Sequence, residues 1–115
     1  MTKINILFVC SANEDRSRTA EDLYKIHPRL EVKSAGVDWN VKKRVTEGLI
    51  KWADVVLCME EFQINMIMKE FGNLIPGKII DYLDIEANYA ILQNDPPSFI
   101  KARVDTWLSK NLNIV

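Results

Sequence analysis

Nine consecutive residues, Val9-Cys-Ser-Ala-Asn-Glu-Asp-Arg-Ser17, gather a thiol, a guanidinium, two carboxylates and two hydroxyls. Cys10 and Arg16 stand six positions apart, and Ser17 follows directly. A thiolate is a strong nucleophile. A guanidinium is a permanently charged planar fork that holds two oxygens of a phosphoryl group. Together they suit phosphoryl transfer without a metal. Cys10 attacks phosphorus, while Arg16 and the backbone N–H groups of the loop Ser11, Ala12, Asn13, Glu14, Asp15, Arg16 and Ser17 hold the equatorial oxygens. The Ser17 hydroxyl can donate to the thiolate. The two carboxylates, Glu14 and Asp15, have no role in that scheme.

Such a loop works only if its flanks position it. Lys3–Val9 is short, branched and almost continuously apolar, which predicts a strand buried on both faces. Ser17 can cap a helix bearing Ala20, Leu23 and Tyr24 that ends before Pro28. A strand-to-helix loop collects unpaired N–H groups at the positive end of a helix dipole, which attracts phosphate and favours the thiolate of a cysteine at its centre. Further strands are predicted over Leu30–Ala35, Asp54–Met59 and Lys78–Ile85. Helical spacing covers Val45, Leu49 and Trp52, then Ile64, Ile67, Met68 and Phe71, then Ile100, Val104, Trp107 and Leu108 after Pro96-Pro97. Strand and helix alternate four times. That predicts an α/β fold with a parallel sheet covered on both faces, and ligands bound at the carboxyl ends of the strands. Cys10 and Asp84 both fall near such ends.

The 115 residues suffice for one domain, 1–115, with a single core. A net charge of −1 argues against bulk binding to nucleic acid or anionic membrane. No apolar run approaches the ~18 residues of a membrane span. The apolar run after Met1-Thr2-Lys3 is too short for a signal peptide, so a reducing cytoplasm is the expected compartment. Two cysteines and one histidine make no disulfide framework or structural zinc site, and no metal is expected. Cys58 reads as core, as do Met59, Met66 and Met68. His27 and the Lys42-Lys43-Arg44 run read as solvent-facing.

Cys10-x5-Arg16-Ser17, followed by Thr19-Ala20-Glu21, resembles the low-molecular-weight protein tyrosine phosphatase family, and more narrowly a short bacterial branch of it. The likeness continues through Ser34-Ala35-Gly36, Trp52-Ala53-Asp54, Cys58-Met59-Glu60 and Leu83-Asp84-Ile85. It implies a three-layer, four-stranded parallel sheet in the order 2-1-3-4 with helices on both faces. It also implies a cofactor-free monomer acting on a phosphotyrosine-containing protein or a small aryl phosphate through a phosphocysteine. By the same resemblance Cys10 is the nucleophile and Arg16 the phosphate clamp. Asn13, Ser17 and Ser34 form the supporting network, and Trp39 and Tyr89 are pocket walls.

The departures from the family pattern are specific. Glu14 and Asp15 stand where apolar, basic or cysteine residues are usual, and would repel a phosphate by roughly 1 kcal/mol or more each if they faced it. Arg18 replaces a proline, and the family's supporting histidine has no match. The general acid is displaced: setting Tyr89 on the family aromatic puts Ala87 where the aspartate should be. Asp84 is the first substitute, with Glu86 and Asp95 behind it, although Asp95 also suits a helix cap. Two competing readings follow. One is a catalytically weak or inactive phosphate- or phosphoprotein-binding module of the same fold. The other is an arsenate reductase, whose thiol relay would have to use Cys58.

Overall fold

The computed structural model describes residues 2–92 and 94–115. Four parallel strands, β1 (Ile4–Cys10), β2 (Leu30–Gly36), β3 (Val55–Cys58) and β4 (Ile79–Tyr82), form one sheet in the order β2-β1-β3-β4. This is the order the resemblance implies. Five α-helices join them: α1 (Arg16–Tyr24), α2 (Glu47–Trp52), α3 (Glu61–Phe71), α4 (Tyr89–Leu92) and α5 (Pro96–Leu112).

The burial pattern explains why the two central strands read so clearly. Residues 6–10 of β1 and all of β3 are buried, whereas β4 exposes both its ends at the sheet edge. Period-2 alternation then divides the core in two. Ile6, Phe8 and Cys10 face α1 and α5, packing with Ala20, Tyr24, Ile100, Val104 and Trp107. Leu7, Val9, Val56 and Cys58 face α2 and α3, packing with Ile50 and Ile67. Residues 10, 36, 58 and 82 end their strands on one rim, so the loops that follow them meet there.

Several expectations need correction. Ser17 lies inside α1 and does not cap it; the cap position is Asp15, whose side chain makes no capping bond. Ser17 is fully buried because its hydroxyl is used within the loop. β3 and β4 are four residues each, shorter than predicted, because the chain turns away after Cys58 and Tyr82. Met66 and Met68 are exposed at 41% and 43%, on the outer side of α3, while Met59 is core. The spacing that picks out α3 serves Ile64, Ile67 and Phe71, and Met68 lies beyond that stripe. α4 carries too short a pattern to be read from sequence.

Candidate active site

The loop after β1 is built on three side chains. Asn13 takes the left-handed backbone conformation (φ 56°), which asparagine tolerates better than most residues. This turn brings its backbone N–H to 3.2 Å from Cys10 Sγ. Its side-chain Nδ2 donates to Ser17 Oγ at 2.8 Å. With that lone pair occupied, the Ser17 hydroxyl hydrogen is free to donate to Cys10 Sγ, 2.9 Å away. Two donors therefore converge on one sulfur. All three residues are buried, with Cys10 2% exposed.

Gly36 forms the floor. Its N–H and carbonyl pair with Lys43 and Val45, and Val37 and Asp38 donate to the carbonyls of Cys10 and Ser11 at 3.0 Å. A Cβ on Gly36 would lie 2.6 Å from the Ser11 oxygen and 3.0 Å from Ala12 C and Asn13 N. All three are backbone atoms, so the loop itself would have to move. Gly36→Ala is expected to cost about 1–3 kcal/mol of stability and to weaken phosphate binding. Urea denaturation and phosphate titration of the variant check this together.

Arg16 is 6% exposed and points across to the neighbouring strand ends. Its Nη1 donates to Glu60 Oε2 at 2.6 Å and to the Ile85 carbonyl at 2.8 Å. It pairs with neither Glu14 nor Asp15. Glu60 follows β3 and Ile85 follows β4, so one guanidinium ties three strand ends together. Gln63, fully buried, adds a second tie: its Oε1 accepts from the N–H groups of Met59 and Glu60, and its Nε2 donates to Ser11 Oγ at 3.2 Å. Sequence reasoning assigned no role to Glu60 or Gln63. The Cys58-Met59-Glu60 match was the one signal pointing there.

The two loop carboxylates separate. Asp15 accepts from the Tyr89 hydroxyl at 2.9 Å and from Thr19 Oγ1 at 3.3 Å, so it anchors the segment after β4 to the loop. Burial, reinforced by Asp15, pushes the Tyr89 phenol up to about 12, keeping it protonated and donating. Tyr89 is 4% exposed with its ring stacked on Phe99; it is a tether, and does not serve as a pocket wall. Glu14 is exposed on a polar groove bordered by Ala12, Asn13, Arg18 and the 38–43 loop. Trp39 is 85% exposed and encloses nothing. Ser34 is buried, but its hydroxyl donates to Glu21 Oε1 at 2.5 Å, away from the Asn13–Ser17 network in which it was expected.

Asp84 sits in a held turn. Leu83 and Ile85 donate to the carbonyls of Cys58 and Met59, while Arg103 and Arg16 donate to the carbonyls of Leu83 and Ile85. Four hydrogen bonds thus fix Asp84 in the left-handed region (φ 57°), with its side chain exposed. Glu86 is exposed in the same segment. Asp95 caps α5, accepting from Ser98 N and Oγ. Cys58 faces the opposite side of the sheet from Cys10, and burial lifts its thiol well above the ordinary range. The two thiols are not arranged as a relay. No group of histidines, cysteines and carboxylates suited to a metal occurs among the described residues. No helix among them is long and apolar enough to cross a membrane.

A three-layer α/β fold with a Cys-x5-Arg loop at the carboxyl end of its first strand defines a class of protein built around a buried thiol. The chain belongs to the low molecular weight phosphotyrosine protein phosphatase family, matching it over residues 5–82, and by that membership it is a phosphatase-class enzyme. Among solved structures, YfkJ from Bacillus subtilis is similar at 19% identity and a TM-score of 0.75, covering 98% of this chain and 97% of that one. SP-PTP, a low molecular weight protein tyrosine phosphatase from Streptococcus pyogenes, gives 15% identity and 0.75 over 94% and 93%. The YwlE arginine phosphatase from Geobacillus stearothermophilus gives 23% identity and 0.67 over 97% of each chain. No curated protein sequence matches the chain significantly.

Proposed function

We propose that this protein hydrolyses aryl phosphate monoesters, phosphotyrosine among them, in two steps through a phosphocysteine at Cys10. The convergence of Asn13 N–H and Ser17 O–H on Cys10 Sγ carries the reading. In the first step the Cys10 thiolate attacks phosphorus, the bond to the leaving oxygen breaks, and Asp84 gives that oxygen a proton. In the second, water attacks phosphorus, Asp84 takes back a proton, and the S–P bond breaks to return the thiolate and release phosphate. Throughout, the N–H groups of residues 11–17 and the remaining Nε and Nη2 donors of Arg16 hold the equatorial oxygens. The held turn supports Asp84 as the acid over Asp95, whose carboxylate caps α5. The exposed Trp39 ring is available to a substrate's aromatic leaving group. On this reading the chain works as a single-domain, cofactor-free monomer in the cytoplasm, on phosphotyrosine-containing proteins or small aryl phosphates.

A second reading, a phosphate receptor with weak turnover, is favoured by Ala87, which stands where the family's aspartate should be. Steady-state hydrolysis of p-nitrophenyl phosphate separates the two, with an alkyl phosphate and phosphoarginine, the substrate class of the arginine phosphatases, run alongside. Turnover preferring the aryl ester and inhibited competitively by orthovanadate is expected. Orthovanadate binding with no turnover of any ester supports the receptor.

A further inference from the structure

We propose that Asp15 is the positioning residue for residues 85–89, the segment that follows directly on Asp84 and carries Glu86. Through the Tyr89 hydroxyl it fixes that segment against the nucleophile loop. The inference rests on the hydrolytic reading above. Consecutive residues of the loop hold the segment at its two ends. At one end the Ile85 carbonyl accepts from Arg16 Nη1 at 2.8 Å; at the other the Tyr89 hydroxyl donates to Asp15 Oδ1 at 2.9 Å. Between these ties Glu86, Ala87 and Asn88 are exposed, and their turn is closed by the Tyr89 N–H, which donates to the Glu86 carbonyl at 3.1 Å. The turn therefore moves with Tyr89. Asp84 and Glu86, the acid and its first alternative, border or lie on it, so its placement sets their distance from Cys10.

The residue types suit this task. The buried Tyr89 ring stacks on Phe99 of α5, with centroids 6.3 Å apart. The Arg103 guanidinium lies 5.0 Å from the Phe99 ring centre and donates to the Leu83 carbonyl, so the same part of α5 seats the ring and braces the Asp84 turn. The hydroxyl at the tip of that seated ring is what reaches the loop. Asp15 stands at the cap position of α1 but makes no capping bond, which leaves its carboxylate to accept from elsewhere. Thr19 Oγ1 donates to the same Oδ1 at 3.3 Å and helps to aim it. An ionised carboxylate accepts a stronger hydrogen bond from a hydroxyl than a neutral acceptor does. The carboxylate that the phosphate chemistry leaves unexplained thus has a use in joining two parts of the site.

The test is a double-mutant cycle on the full chain with Asp15→Ala, Tyr89→Phe and the double variant. It is read by kcat/KM on phenyl phosphate and on p-nitrophenyl phosphate, and by amide hydrogen exchange of the peptide covering residues 84–90. Tyr89→Phe keeps the stacked ring and removes only the donor. It is expected to lower kcat/KM on phenyl phosphate roughly tenfold, because the proton donor is misplaced. The loss on p-nitrophenyl phosphate is expected to be far smaller, and the peptide to exchange faster. Asp15→Ala is expected to do the same, and the double variant no more than either alone, because the two residues act through one bond. Asp15→Asn, which keeps the acceptor oxygen, is expected to recover most of both effects. Additive losses, equal losses on the two esters, or unchanged kcat/KM or exchange in a folded Tyr89→Phe protein overturn the proposal. Hydrogen exchange does not require turnover. A wild type that hydrolyses no ester defeats the hydrolytic reading, and exchange alone then decides whether Asp15 holds the segment.

Discussion

Cys10→Ser is expected to lower turnover of any phosphate monoester by on the order of 10⁴–10⁶, while phosphate binding survives. Cys10 Sγ is the sulfur on which Asn13 N–H and Ser17 O–H converge, at the carboxyl end of β1. A serine there keeps the hydrogen bonds, since its hydroxyl accepts from the same donors. It is a far weaker nucleophile because two neutral donors do not ionise an alcohol. The loop amides and Arg16 are untouched, so orthovanadate should still bind. The other thiol cannot substitute, because Cys58 points to the opposite face of the sheet and burial keeps it protonated. Steady-state kinetics with parallel orthovanadate titration checks both halves. Loss of turnover and binding together would indicate a collapsed loop.

The second large effect concerns the acid. Asp84→Asn is expected to lower kcat/KM, which reports the step that expels the leaving group, by about 10²–10⁴ for phenyl phosphate, and far less for p-nitrophenyl phosphate. A phenolate is a poor leaving group and needs its proton, whereas nitrophenolate departs without one. The substitution is nearly isosteric, and the turn that holds Asp84 is made by backbone groups of Leu83 and Ile85, so the fold is expected to persist. Leaving-group dependence is the diagnostic. An equal loss on both esters would mean that Asp84 shapes the site without donating a proton, and Glu86 would become the next candidate.

Much of this architecture can be read from the chain because local rules and tertiary demands agree. β3 is apolar throughout, and β1 apart from Asn5, because they are central strands buried on both faces, and a parallel sheet leaves little alternative for such runs. The loop is legible because a strand, five residues and a helix bring a thiol and a guanidinium to one turn. Ser34-Ala35-Gly36 is legible as a motif, although the reason for its glycine appears only when the Ser11 carbonyl is found 2.6 Å from the missing Cβ.

The rest depends on pairings that periodicity cannot carry. Arg16 meets Glu60 across 44 positions and Ile85 across 69, so the direction in which the clamp is held is a property of the folded rim. Asp15, unexplained by the phosphate chemistry, acquires its role from Tyr89, 74 residues away. Ser17 reads as a cap because serine before an apolar helical stripe usually is one; here the loop needs its hydroxyl more. Trp39 fails as an enclosed pocket wall for a different reason: its segment, Asp38–Lys43, lacks a regular pattern that would fix a side chain's direction.

The central claim is that phosphate passes through covalent attachment to Cys10. The most direct measurement is acid quench during turnover of p-nitrophenyl phosphate, followed by mass spectrometry of the peptide that contains residues 4–16. A phosphoryl group on Cys10 is expected to form with the first release of nitrophenol and to disappear when substrate is exhausted. Continued turnover with that peptide unmodified at every quench time, or with the phosphoryl group on another residue, would contradict it.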